Sequence, residues 1–214
     1  MKKESGFTLI ELAIVLVIIG LLLGGVLKGQ ELINSAKVKN MANDFKNIQI
    51  QIYSYQDKFR ALPGDDKAAS ANLGVDTTTN GTGDGVIGGA WNADSGETFN
   101  LWLHLRKAGL ATGSTNVGDA NYSPKNTEGG RIGVQSNPDK TITGIAGSYA
   151  VCSEGILGKF AKQLDVSLDD GDTATGNMMT ATSVSGTSPA SAVTSSGSSP
   201  SISDSTKYTV CMAF

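Results

Sequence analysis

The chain has 214 residues, of which 39% are hydrophobic, and a formal net charge of −3. This length accommodates one ordinary domain with a short appendage and does not indicate a large enzyme. No basic block dominates the charge, so composition does not favour nucleic acid as a partner.

The N-terminus combines a short basic leader with a long apolar run. Lys2 and Lys3 precede residues 7–27, in which Glu11 is the single ionisable group. As a helix this run would be about 30 Å long, enough to cross the hydrocarbon core of a bilayer. The leading lysines favour a cytoplasmic N-terminus.

Beyond Lys28 the sequence continues with helical periodicity. No proline interrupts it before Pro63, where LPGD supplies a stop. The pattern predicts one helix of more than fifty residues. Its first half is apolar on all faces, and its second half is apolar on one face only. Glycines in the middle of the helix favour bending or local melting there. The apolar positions of the second half are Val38, Ala42, Phe45, Ile48, Ile52, Tyr55 and Phe59, and the glycines are Gly20, Gly24, Gly25 and Gly29.

The stretch KESGFTLIELAIVLVIIGLLL resembles the class III signal and N-terminal helix of type IV pilins and of the pseudopilins of type II secretion. The resemblance implies that a prepilin peptidase cuts between Gly6 and Phe7 and methylates the new amine of Phe7. It places the family's glutamate at Glu11 and assigns Glu11 and Thr8 to assembly. Many major pilins carry a proline in the distal part of the apolar helix, where this chain has Lys28 and glycines instead.

A carboxylate inside lipid costs on the order of 3 kcal/mol near a helix centre, so Glu11 is expected to have a partner. Cleavage after Gly6 would create an ammonium on Phe7, one helical turn away in the same chain and equally available to a neighbouring subunit. The alternative is a glutamate that reaches the membrane interface alone, which leaves the leader unexplained.

A glycine-rich loop, residues 72–90, follows the predicted helix. Asn80, Thr82 and Asp84 alternate within NGTGDGVIGG as in a calcium loop, but no glutamate follows at the bidentate position. We therefore expect a structural loop without a metal or other cofactor, with calcium bound at these three residues as the alternative.

A second, short helix is predicted from the pattern around Trp102. Asp94 and Glu97 resemble a capping box at its start, and Gly109 marks its end. His104, the single histidine, is expected on the surface of this helix or at an interface. No nucleophile, base and acid can be named around it, so we expect no enzymatic activity.

The C-terminal part is predicted to contain an antiparallel sheet. Residues 130–135, 141–152 and 207–214 are rich in β-formers, and residues 156–164 favour a helix. The LDDGD turn after that helix offers a further place for a cation. Residues 173–203 carry Ser, Thr, Ala and Gly in abundance, which predicts an exposed loop.

Cys152 and Cys211 are the two cysteines of the chain. An even number in an exported protein favours a disulfide, and closing a loop of roughly 60 residues is worth about 4 kcal/mol in the chain-entropy model. Two reduced thiols would require a cytosolic protein. The pilin resemblance implies that the loop between the cysteines is the variable, outward-facing region.

Taken together, the elements predict an α+β fold with a long N-terminal helix packed on a small antiparallel sheet, the lollipop that the resemblance also implies. The expected segments are a leader (1–6), a transmembrane or filament-core helix (7–29), an amphipathic helix half (30–62) and a globular head (63–214).

The resemblance implies a structural subunit of a type IV pilus or pilin-like surface filament. Its expected partners are copies of itself and other pilins, the prepilin peptidase, an inner-membrane assembly platform and, before assembly, the bacterial inner membrane. The mature subunit would then lie in an extracellular filament. A periplasmic pseudopilus of a type II secretion system and a monomeric membrane-anchored binding protein are the alternatives. The chain's size, its cysteine pair and its long neutral loop favour the pilus.

Overall fold

The computed structural model describes residues 8–195 and 201–214. The chain divides between Lys37 and Val38 into two compact units. Helix α1, Leu9–Phe59, begins in the first unit and ends in the second. The second unit contains α2 (Ala69–Leu73), α3 (Glu97–Lys107), β1 (Ile132–Ser136), β2 (Tyr149–Leu157), α4 (Gly158–Leu168), β3 (Met178–Ala181) and β4 (Lys207–Ala213), with short 3₁₀ helices at Thr77–Thr79 and Pro138–Lys140.

Helix α1 has 51 residues, which confirms the prediction of one helix of more than fifty. It remains helical through all four glycines of its middle, where we expected bending or local melting. The helix ends just before Arg60, whose φ of 55° lies in the left-handed region. The predicted stop around Pro63 is therefore correct to within a few residues.

The C-terminal half of α1 contributes one face to the main core of the second unit. This face recurs at steps of three or four residues, as the amphipathic pattern predicts. Strands β1, β2 and β4 and helices α3 and α4 supply most of the other side chains of that core. The buried residues of α1 are Val38, Met41, Phe45, Ile48, Ile52 and Tyr55.

The four strands form one sheet in the order β1-β2-β4-β3, with antiparallel pairing between all neighbours. The long helix and this small sheet confirm the predicted α+β class. Helix α4 occupies Gly158–Leu168, where a helix over residues 156–164 was expected. The expected strand over residues 207–214 corresponds closely to β4.

The expected strand over residues 141–152 was wrong in its first half. β2 begins at Tyr149, because the preceding residues form turns in which Gly144 has a φ of 93°. Gly147 lies so close to the backbone of Phe214 that a Cβ there would be 2.7 Å from its carbonyl oxygen. The positive φ of Gly144 is not compatible with a regular strand.

Strand β3 was missed, because it lies inside the stretch expected to be an exposed loop. Its free edge is covered by the same stretch: Thr180 donates its N–H to the carbonyl of Thr173, and Val193 donates to the carbonyl of Thr180, each over 2.8 Å. The Thr173 hydroxyl donates to the carbonyl of Val193 over 2.6 Å. Since these bonds satisfy backbone groups at the edge of β3 and the Thr173 hydroxyl, a sequence of low hydrophobicity can be buried here.

Cys152 and Cys211 form a disulfide between β2 and β4, which confirms the predicted pairing. The two residues face each other directly across the antiparallel strands, with their Cα atoms 4.0 Å apart. Both are fully buried in a second, smaller core cluster. The bond therefore joins the two central strands of the sheet.

Candidate functional site

The strongest candidate site is the start of α1, where the sequence predicts processing and assembly. Gly6 and Phe7, the expected cleavage and methylation residues, lie outside the described residues. Thr8 and Glu11, assigned to assembly, lie within them.

Thr8 and Glu11 cap the N-terminus of α1 together. The Thr8 backbone N–H and hydroxyl both donate to Oε2 of Glu11, over 2.8 and 2.7 Å. In return the Glu11 N–H donates to the Thr8 hydroxyl oxygen over 3.3 Å. This reciprocal arrangement is a capping box, and it satisfies two N–H groups that the first turn of a helix leaves without partners.

The capping box was not identified from the sequence, although its signal is present. The letters TLIE match the pattern of Ser or Thr followed three positions later by Glu. The box explains why an apolar helix tolerates Glu11 at this position: the carboxylate lies at the positive end of the helix dipole and accepts two hydrogen bonds there.

The residues around Glu11 are apolar and exposed. Leu9 is 88% and Ile10 is 68% accessible in this chain, and exposed apolar side chains continue to Leu27. Among the described residues, α1 is the one helix long and apolar enough to cross a membrane by length and composition. The carboxylate of Glu11 is thus a single anion at one end of an apolar surface.

Lys28 closes the apolar stretch at its other end. Its ammonium pairs with Glu31 over 2.7 Å, one turn further along α1. Both side chains are about two-thirds exposed, so this ion pair contributes little to stability. Glu31 is therefore a suitable control position for experiments on Glu11. It is a carboxylate of the same helix, and it is paired with a lysine of its own chain.

The weak metal candidates lie in a loop whose polar atoms hold the loop to the rest of the second unit. The Asn80 side chain accepts a hydrogen bond from the N–H of Ser70, and the Thr82 hydroxyl donates to Asp65, over 2.8 and 2.9 Å. Asp84 accepts from the N–H of Val86 over 2.9 Å. These bonds give each of the three side chains a role in the loop itself.

Asp65 precedes the loop in the chain and accepts four hydrogen bonds from it. Its carboxylate is buried and accepts hydrogen bonds from the N–H groups of Gly83, Asp84 and Gly85, in addition to the hydroxyl of Thr82. The loop amides therefore point at an anion that the protein itself supplies. Glu97 holds the same loop from the other side, since its carboxylate accepts from the N–H groups of Thr82 and Gly88.

His104 is fully buried, so the expectation of a surface or interface position was wrong. Its Nδ1 accepts a hydrogen bond from the N–H of Gly64 over 2.9 Å, and its Nε2 lies 3.0 Å from the carbonyl oxygen of Thr79. A carbonyl can only accept, so the proton of the neutral ring is on Nε2. Burial lowers the pKa of His104 below its usual range. The ring of His104 thus connects Gly64, just after α1, to Thr79 in the glycine-rich loop.

The expected capping box at the start of α3 is absent from the structure. Gly96 precedes the helix, and no side chain caps it. Asp94 instead pairs with Arg131 over 2.6 Å, and Glu97 binds the loop described above. The spacing of Asp94 and Glu97 fits a capping box, but both carboxylates bind tertiary partners instead of the N–H groups at the start of α3.

The fold and the site together define an α+β protein with a long helix whose capped N-terminal half is competent to enter a membrane. The family model for the prokaryotic N-terminal methylation motif matches residues 1–27. A search of curated proteins and a search of solved structures each give no significant match. The matched segment is the one on which the resemblance to type IV pilins and pseudopilins rests, and the match supports that resemblance.

Proposed function

We propose that this protein is a structural subunit of a type IV pilus or a pilin-like surface filament. In this proposal a prepilin peptidase removes residues 1–6 and methylates Phe7. The mature subunit leaves the inner membrane, and its apolar helix packs against those of its neighbours in the filament.

The observation that carries the proposal is the methylation motif followed by a helix with one carboxylate at the edge of its apolar surface. The two Thr8 bonds both end on Oε2 of Glu11. Among the described residues no hydrogen-bond donor contacts Oε1. An ammonium on Phe7, in the same chain or in a neighbour, would therefore meet a carboxylate that is already oriented.

Assembly transfers the apolar helix from lipid to neighbouring helices, so apolar burial changes little in that step. A charge pair in this environment is strong, because the dielectric constant is low and water is scarce. The pair of Phe7 and Glu11 would thus set the register between subunits, whereas the apolar contacts alone allow sliding.

A pilus is favoured over a secretion pseudopilus by the disulfide and by the length of the segment that it encloses. Cys152 and Cys211 are 59 positions apart. Within the family that the chain resembles, major pseudopilins usually lack such a bond. The cell surface is an oxidising environment in which such a bond persists.

The test uses Glu11→Val, which removes the carboxylate, and Glu31→Gln as the matched control in the same helix. We expect both variants to enter the membrane in normal amounts. Glu11→Val should lose most of the sheared filament fraction, while Glu31→Gln should keep it. Mass spectrometry of the mature wild-type chain should show loss of residues 1–6 and gain of one methyl group.

Normal filament yield from Glu11→Val would refute the assembly role of this carboxylate. A wild-type chain that retains Met1 in the native cells would refute the processing step. A chain that is processed, yet stays monomeric in crosslinked membranes that contain the assembly machinery, would favour an anchored binding protein instead.

A further inference from the structure

The turn between α4 and β3 brings three carboxylates together. Asp165 lies in the last turn of α4, and Asp169 and Asp170 follow the helix directly. One carboxylate oxygen from each lies within 4.8 Å of the corresponding oxygens of the other two. The filament function proposed above makes no use of this cluster.

Backbone donors fix the orientation of all three carboxylates. Gly171 donates its N–H to Oδ1 of Asp165 over 2.7 Å, and Met178, the first residue of β3, donates to Oδ2 of Asp169 over 2.8 Å. The N–H of Asp172 donates to Oδ1 of Asp170 over 2.9 Å. Each carboxylate oxygen has two lone pairs, so these bonds orient the groups and leave acceptor capacity.

Asp165 carries the unexplained feature of the cluster. Its side chain is fully buried, and its Oδ2 has no hydrogen-bond partner. No ion pair between described residues involves Asp165, Asp169 or Asp170. A buried carboxylate oxygen without a donor or a cation is costly, because nothing replaces the water that it has lost.

The electrostatics of the turn increase that cost. The three carboxylates have oxygens within 4.8 Å of one another, and like charges this close repel strongly where burial excludes water. A positive charge in the turn would remove both the repulsion and the cost of the unpartnered oxygen.

We propose that Asp165, Asp169 and Asp170 bind a calcium ion in this turn. Two oxygens on opposite sides of a calcium ion, each at about 2.4 Å, are about 4.8 Å apart, so oxygens as close as these can share one ion. Carboxylates are the hard ligands that calcium prefers, and water would complete the six to eight positions of its shell.

Calcium fits this turn better than magnesium. Magnesium requires a near-ideal octahedron at about 2.1 Å, whereas calcium accepts irregular shells of larger radius. Asp170 is exposed, which leaves access for the ion and for water. With three protein ligands, the site belongs in the weak range of extracellular calcium sites, on the order of 0.1 to 1 mM.

Bound calcium would connect two elements of the head. Asp165 belongs to α4, and Asp169 is bonded to the first residue of β3, which forms the outer strand of the sheet beside β4. The ion would therefore stabilise the attachment of β3 and of the segment that covers its edge.

The test measures calcium binding and thermal stability of the full chain in detergent micelles after treatment with a chelator. At 10 mM CaCl₂ and a Kd near 0.1 mM, linkage predicts a rise in Tm of roughly 5 to 10 °C. Calorimetric titration should give one saturable site. KCl at equal ionic strength and MgCl₂ at 10 mM should give clearly smaller shifts.

Asp165→Asn and Asp170→Asn should each weaken calcium binding at least tenfold and remove the rise in Tm. Asp84→Asn is the matched control, because it removes an exposed carboxylate of the glycine-rich loop, and it should bind as the wild type does. Should Asp165→Asn not fold, Asp170→Asn decides, since Asp170 is exposed.

The proposal is overturned if the wild type shows no saturable binding at 10 mM CaCl₂. It is equally overturned if binding survives in both Asp165→Asn and Asp170→Asn, or if Asp84→Asn alone abolishes it. An equal shift with magnesium would refute the assignment of calcium.

Discussion

Removal of the disulfide should destabilise the head strongly. In the double variant Cys152→Ala and Cys211→Ala, the unfolded chain regains the freedom that the bond removes. The cysteines are 59 positions apart, and the chain-entropy relation for a loop of that length gives about 4 kcal/mol at 25 °C. This is a large part of the 5 to 15 kcal/mol that is typical of a domain.

Equilibrium unfolding in urea, followed by tryptophan fluorescence, measures this loss. Trp91 and Trp102 are 2% and 4% exposed, and both belong to cores of the second unit, so their emission reports its unfolding. With an m-value of about 2 kcal/mol/M, the midpoint should fall by roughly 2 M. Wild-type protein kept under reducing agent is the control, because it lacks the bond but retains both sulfur atoms.

The m-value should also rise, since the unfolded variant is less compact than the cross-linked chain. A loss of less than about 1 kcal/mol with an unchanged m-value would refute the reasoning. It would mean that the reduced unfolded chain is already as restricted as the cross-linked one.

Two further predictions concern the buried polar groups of the second unit. Because burial lowers the pKa of His104, the unfolded chain takes up a proton first as the pH falls. The contribution of His104 to stability should therefore decrease from pH 7 to pH 5, so over this range the free energy of unfolding should shift downward in the wild type relative to His104→Gln; equal slopes for the two proteins would contradict it. Asp65→Asn, which keeps the size of the side chain, should lower the free energy of unfolding by about 2 kcal/mol, because four donors lose a charged acceptor. Asp139→Asn, at an exposed position, is the control in urea unfolding, and equal stability of the two variants would argue against the role of Asp65.

The N-terminal motif could be read from the sequence because its parts are close together in the chain. The leader, the apolar run and Glu11 lie within one continuous segment, and residues 1–27 match the methylation motif. The amphipathic half of α1 was equally readable, since a helix repeats its buried face at a fixed interval and the core uses that face.

His104 and Asp65 could not be read in the same way. Their partners lie in the glycine-rich loop and at Gly64, 40 positions from His104, and a spacing of that kind follows no local rule. The same reason explains the error about residues 173–203. Their few apolar residues are buried because the edge of β3 supplies hydrogen bonds to the chain that covers it.

Local order along the chain thus determined the long helix, the processing motif, the α+β class and the pairing of the two cysteines. Only the tertiary structure decided that His104 is buried, that Asp65 holds the glycine-rich loop and that a polar stretch contributes a strand. The first group depends on periodicity and on residue type, which the sequence displays directly. The second depends on which polar atoms find partners, and that is settled only when distant segments come into contact.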